Sequence, residues 1–158
     1  MTSYRTRARI GAAVLAVATT LGVAVGVGPA AADGTRVYPM KNCEQISPNL
    51  VDWPYNPDRV IVDQFGAKTT IWFEYRSLWY HHGYASDTKM EWRNLRTGQH
   101  GTKNAWSHVY PLEAQPQRFT FPTSKLGTGP VKLTFTTVNT NWFWSMPAFT
   151  CTATVQIL

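Results

Sequence analysis

From Phe149 to Ile157 the chain alternates without a break, with Phe149, Cys151, Ala153, Val155 and Ile157 on one side and Thr150, Thr152, Thr154 and Gln156 on the other. A period of two marks a strand that buries one face and wets the other, and it places Cys151 on the buried side. The same period returns in short runs along most of the chain, each cut off by Pro or Gly. After residue 32 no run holds a helical period long enough to form a convincing helix. A chain punctuated in this way is confined to antiparallel sheet.

The runs can be read in order. Residues 33–58 carry Pro39, Pro48, Pro54 and Pro57 and read as an extended or looped N-terminal arm. Val60 and Val62 open the regular structure after Arg59. Thr69 to Tyr80 reads as a long β segment, with Ile71, Phe73 and Tyr75 inward and Trp72, Glu74 and Arg76 outward. A turn at His81-His82-Gly83 leads to a strand with Met90, Trp92 and Asn94 on one side, and Thr97-Gly98 marks a hairpin. Gly101 to Val109 returns and ends at Pro111, and Pro111 to Gln117 is expected to be loop. Phe119 and Phe121 mark a short strand closed by Pro122. Gly127-Thr128-Gly129-Pro130 then turns the chain into Val131, Leu133 and Phe135, and Asn139-Thr140-Asn141 interrupts before the last strand. About seven short strands predict an all-β fold, an antiparallel immunoglobulin-like β-sandwich with an irregular N-terminal arm.

Arg5, Arg7 and Arg9 precede an uncharged run from Ile10 to Ala32 that closes on Pro29-Ala30-Ala31-Ala32. A basic start, an apolar middle and a small-residue site predict a secretory signal peptide over 1–32, and a single domain over 33–158. The run is also long enough to span a bilayer as a retained anchor. Its many Gly, Ala and Thr residues, and the lack of a basic stop after Ala32, favour the leader. The three arginines are not adjacent, so they form no twin-arginine signal. The expected location is extracellular or at the cell envelope.

The leader also distorts the charge. The chain holds 15 Lys and Arg against 9 Asp and Glu; the first 32 residues take three of the arginines and no acid, leaving 12 against 9, a net +3. Those 12 are spread evenly along the sequence, which argues against a nucleic-acid partner. An oxidising exterior permits Cys43 and Cys151, near the two ends of the remaining chain, to pair as a structural bridge. No zinc spacing and no Cys-x-x-Cys motif accompanies them. The antibody-domain pattern is absent too, because Cys43 lies before the first clear strand and Cys151 in the last.

The segment Met90-Glu91-Trp92-Arg93-Asn94-Leu95-Arg96-Thr97-Gly98-Gln99-His100-Gly101, followed by Gly127-Thr128-Gly129-Pro130-Val131 and an alternating last strand, resembles small secreted actinobacterial domains with an immunoglobulin-like sandwich. These carry a similar tryptophan, asparagine and Thr-Gly hairpin. The resemblance covers residues 59 to 158 and implies the fold; it implies no catalytic residues. The Ala- and Val-rich leader is similar to those of actinobacterial secreted proteins.

Seven tryptophans, Trp53, Trp72, Trp79, Trp92, Trp106, Trp142 and Trp144, are too many for one small core, since each ring is large and each indole N–H needs a partner. Trp142 and Trp144 share a face if the chain is extended there, with Phe143 opposite. Two readings follow. Trp142 and Trp144, with Trp72, Tyr80 or Tyr84, could present aromatic faces to a sugar, as in secreted sandwiches that resemble carbohydrate-binding modules. Alternatively, both tryptophans pack on the N-terminal arm and Phe143 enters the core.

His81 and His82 form an adjacent pair in a turn without the further ligands a metal site requires. Ser86-Asp87 and Ser107-His108 lack a Gly-x-Ser-x-Gly elbow, and Glu74 and Glu91 are candidate glycosidase carboxylates by strand position alone. Walker, dinucleotide and calcium-loop motifs are missing. The expectation is a non-enzymatic domain without metal or cofactor that binds an extracellular protein or polysaccharide.

Overall fold

The computed structural model describes residues 33–49, 57–76 and 82–158. The leader run, Trp53, Trp79, Tyr80 and His81 lie outside the described residues, as do the side chains of Tyr75 and Arg76. Among the described residues eight strands form two four-stranded antiparallel sheets. The first sheet has the order β1-β2-β3-β6, built from β1 (Gly34–Pro39), β2 (Arg59–Phe65), β3 (Lys68–Arg76) and β6 (Ala114–Pro122). The second has the order β5-β4-β7-β8, from β5 (His100–Val109), β4 (Tyr84–Asn94), β7 (Gly129–Thr140) and β8 (Phe149–Ile157). Leaving β1 aside, seven strands divide three and four between the sheets, an immunoglobulin-like partition.

Alternation becomes burial almost residue for residue. In β4, Tyr84, Ser86, Thr88, Met90, Trp92 and Asn94 face the interior, and in β8 Cys151, Ala153, Val155 and Ile157 do so. Ile71, Phe73 and Phe119 from the first sheet meet Met90, Leu133 and Phe135 from the second, and the Phe73 ring stands edge-on to Phe135 at 5.0 Å. Such edge-to-face contacts suit the ring quadrupole and fill the space between sheets. The half of the interior near Tyr84 is more polar. There Thr88 and Thr137 hydrogen bond at 2.8 Å, and the Gln117 amide donates to the carbonyls of Ser86 and Ala105.

Four sequence expectations are corrected. The arm is regular at its start, since Gly34–Pro39 pairs with β2 as an eighth strand. Ala114 to Gln117, expected as loop, is already strand and pairs in order with Arg76, Tyr75, Glu74 and Phe73. Pro116 is tolerated because β6 is the sheet edge, where a missing N–H breaks no second ladder. Asn139 and Thr140 continue β7, and the break falls at Asn141. Thr123–Leu126 makes one turn of helix, α1, which buries Leu126 beneath the sheets. Among the described residues no helix is long and apolar enough to cross a membrane.

Past β1 the arm crosses to the other sheet. Lys41 and Thr152 exchange both backbone hydrogen bonds at 2.9 Å, and Cys43 and Cys151 form a disulfide with Cα atoms 4.7 Å apart. Both cysteines are buried.

The β4–β5 turn is fixed by one side chain. Buried Asn94 accepts the backbone N–H groups of Arg96 and Thr97 at 2.9 Å, and its amide donates to the carbonyls of Leu126 and Thr128. Gly98 completes the turn at φ 76°, a backbone conformation that glycine reaches without a Cβ penalty.

Two stability predictions follow from these contacts. Asn94→Ala strips four hydrogen bonds from a buried position and is expected to lower the unfolding free energy by about 3 kcal/mol in denaturant titration. Cys43→Ala with Cys151→Ala, or reduction of the bridge, should cost about 4 to 5 kcal/mol in the chain-entropy model, read as a lower unfolding midpoint.

Candidate functional site

Neighbouring strands run antiparallel, so the connections that follow β1, β3, β5 and β7 gather at one pole of the sandwich. Ile46, Tyr110, Leu112, Trp142, Phe143 and Trp144 belong to these connections, and all are exposed. Trp142 is 89% and Phe143 82% accessible, close to the limit for a folded side chain.

These two rings nonetheless stand on a fixed support. The Asn141 side-chain carbonyl accepts the N–H groups of Phe143 at 2.9 Å and Trp144 at 3.0 Å, and the Asn141 N–H donates to the Trp144 carbonyl at 3.0 Å. This is an asparagine turn of the kind that replaces a backbone ladder where a strand stops. The Asn141 amide and the Trp144 indole N–H both donate to the Pro48 carbonyl at 2.7 Å, tying the loop to the arm. Gln45 donates to the Pro147 carbonyl from the same arm. The His82 ring lies 6.4 Å from Trp142.

The candidate residues are therefore separated. Trp142 and Trp144 do not share a strand face, because the period of two holds only for extended backbone and the chain turns here. Trp144 rests on the arm, as one of the two readings expects. Phe143 does not enter the core. Trp72 sits half-buried in the middle of the outer face of the first sheet, its indole N–H donating to Asp63 at 2.6 Å and the Arg118 guanidinium lying 5.2 Å from its ring centre. That ring is held between two partners in the sheet, away from the loops. Tyr84 is corrected from a binding candidate to a core residue: it starts β4 on the inward side and is 1% exposed. Tyr80 lies outside the described residues.

A second aromatic feature escaped the sequence reading. Trp106, His108 and Tyr110 project in succession from the outer side at the end of β5, with ring centres 6.5 Å and 4.7 Å apart, and Trp106 is 62% exposed. The signal was available as Trp106 and His108 at alternate positions of the expected strand Gly101 to Val109, with Tyr110 next in the same period. Asp87, the register partner of Trp106, and Asn104, one step down the same face, are exposed beside them.

The groups weighed for catalysis are divided by the sheets. Ser86 faces the interior and Asp87 the solvent. Glu74 and Glu91 stand on the outer faces of opposite sheets, and Glu91 pairs with Lys89 at 2.7 Å. They do not flank a common cleft. Among the described residues no three His, Cys, Asp or Glu side chains converge as metal ligands do.

Compared with known proteins, the chain matches no family model, no curated protein and no solved structure.

Trp142→Ala and Phe143→Ala remove solvent-facing rings and should each change the unfolding free energy by no more than about 0.5 kcal/mol. Tyr84→Ala empties a core site and should cost about 3 kcal/mol or more. Asn141→Ala frees the turn, and the expected result is loss of the near-ultraviolet circular dichroism of Trp144 with a red shift of tryptophan emission.

Proposed function

We propose that the chain is a non-enzymatic extracellular interaction domain whose aromatic pole docks a macromolecular partner. The observation that carries this reading is the pair Trp142 and Phe143, almost wholly exposed and yet locked by Asn141. Two large rings in water are unfavourable by the hydrophobic effect. Burying them in a partner reverses that cost, and a turn ordered in advance spares the entropy of ordering it on binding. Large aromatic side chains on a rigid support are the usual anchors of interfaces. A buried disulfide is compatible with an oxidising exterior.

The outer face of β5 supports a second reading, a carbohydrate-binding module. Exposed rings at Trp106 and Tyr110, with half-buried His108 between them, offer apolar faces to the C–H side of a sugar, and Asp87 and Asn104 offer hydrogen bonds to its hydroxyls. The platform would then lie on β5 and not on Trp142 and Trp144.

The two readings separate in one comparison. The immobilised wild-type protein, a Trp142→Ala/Phe143→Ala variant and a Trp106→Ala variant are exposed to envelope extract and culture supernatant of the source cells, and their tryptophan emission is titrated with soluble cell-wall polysaccharide. The first reading expects a protein species retained by wild type and by Trp106→Ala, and lost from the double variant. Saturable quenching by polysaccharide that only Trp106→Ala abolishes favours the second. Identical behaviour of all three proteins refutes both.

A further inference from the structure

Twelve cations spread evenly along a sequence are not spread evenly in space. The pole opposite the aromatic loops is built from the β2–β3 turn, the β4–β5 turn and the α1 segment before β7. Into these turns and the strand positions beside them the fold brings Lys68, Arg93, Arg96, Lys125 and Lys132, all exposed. Among the described residues none of the five forms an ion pair with a carboxylate. Asp33, just before β1 at the same pole, accepts the Gly66 N–H of the β2–β3 turn at 2.6 Å. Glu91, the next acid up β4, is held by Lys89.

Fold stability does not account for this arrangement. Arg93 and Lys132 are register partners on the outer face of the second sheet, and His100 stands opposite Arg93 on its other side. Like charges placed directly across a ladder repel, so the Arg93 and Lys132 pair lowers stability unless something anionic lies against it.

The same turns expose apolar side chains. Phe65 and Leu95, 58% and 54% accessible, project from the β2–β3 and β4–β5 turns. The turns belong to different sheets, about 10 Å apart in a sandwich, so one flat surface can meet both tips. Lys68 flanks one tip, and Arg93 and Arg96 flank the other. At the aromatic pole, among the described residues, Lys41 and Arg59 are accompanied by the acids Glu44, Asp58 and Glu113, and Arg59 lies 3.9 Å from Asp58.

We infer that this basic pole docks on an anionic lipid bilayer, with Phe65 and Leu95 seated at the headgroup boundary and the five cations over lipid phosphates. Charge complementarity supplies the attraction, which decays within a Debye length of the surface, and the apolar tips give the bilayer an advantage over a soluble polyanion. The inference is independent of the aromatic pole, which points the other way.

The test is cosedimentation of the full chain with vesicles of an equal mixture of phosphatidylglycerol and phosphatidylcholine, and with vesicles of phosphatidylcholine alone. The N-terminal run carries Arg5, Arg7 and Arg9 and also favours the anionic vesicle, but it is the same in every variant, so the part of the ratio lost on charge reversal isolates the basic pole. The wild-type ratio is expected to be on the order of tenfold, and to fall severalfold in Lys68→Glu/Lys125→Glu/Lys132→Glu and in Phe65→Ser/Leu95→Ser. A wild-type ratio near one, or a ratio unchanged by charge reversal, overturns the inference. Retention that inorganic polyphosphate removes completely while Phe65→Ser/Leu95→Ser has no effect assigns the pole to a soluble polyanion and overturns it as well. Should the triple variant fail to fold, the single variant Lys125→Glu decides: a ratio clearly below that of wild type supports the docking, and an unchanged ratio refutes it.

Discussion

Two asparagines hold the poles of this sandwich by the same device. Asn94 and Asn141 each end a strand, take the N–H groups two and three residues ahead on the side-chain carbonyl, and send the amide to another segment of the chain. Asn94 reaches the connection between β6 and β7, and Asn141 reaches the arm at Pro48. A sheet gains its order along the ladders, and its weak points are the places where ladders stop. A short side chain carrying both an acceptor and a donor settles both demands at once. In each case the residue after the asparagine, Leu95 or Trp142, is left at the tip of the turn, facing water. The chemistry that secures the ends of the fold also determines which side chains it displays.

The strands between these poles act as a spacer. The twelve residues of β7 span roughly 40 Å at about 3.3 Å per residue, so a surface held at Lys125 and Lys132 is well separated from one held at Trp142. Two ends with different chemistry, one basic with aliphatic and aromatic tips, the other nearly neutral with large rings, suit a domain that joins a surface to a partner. The outer face of β5 adds a third, lateral patch whose composition suits hydroxyl-rich ligands.

Much of the fold was legible because burial and alternation coincide in β4, β7 and β8, where one face is wholly inside. The eighth strand was not, for a physical reason. In Gly34–Pro39 no side chain is fully buried, so the segment has no apolar stripe, and its regularity comes from pairing with β2. Pro116 hid the start of β6 in a similar way, since proline weighs against a strand unless one knows the strand lies at an edge. The candidate site was less legible. Periodicity says nothing once the backbone leaves extended geometry, so the outward display of Phe143 depended on the turn made by Asn141. Tyr84 differs from an exposed tyrosine by one position of register, which a turn of uncertain length leaves open. The basic pole could not be seen at all, because its five cations come from three separate connections and meet only after the sheets have formed.

The Cys43–Cys151 bridge has a mechanical consequence. The bond encloses 108 residues of sequence separation, and with them seven of the eight strands wholly or in their first turns. Tension applied between the N-terminal strand and the C-terminus is therefore carried through sulfur, and the enclosed chain adds nothing to the length that can be drawn out. Only the residues before Cys43 and after Cys151 could yield. A domain pulled by its ends would give way only as far as β1 and the end of β8 peel from their neighbours, with β2 to β7 outside the line of force.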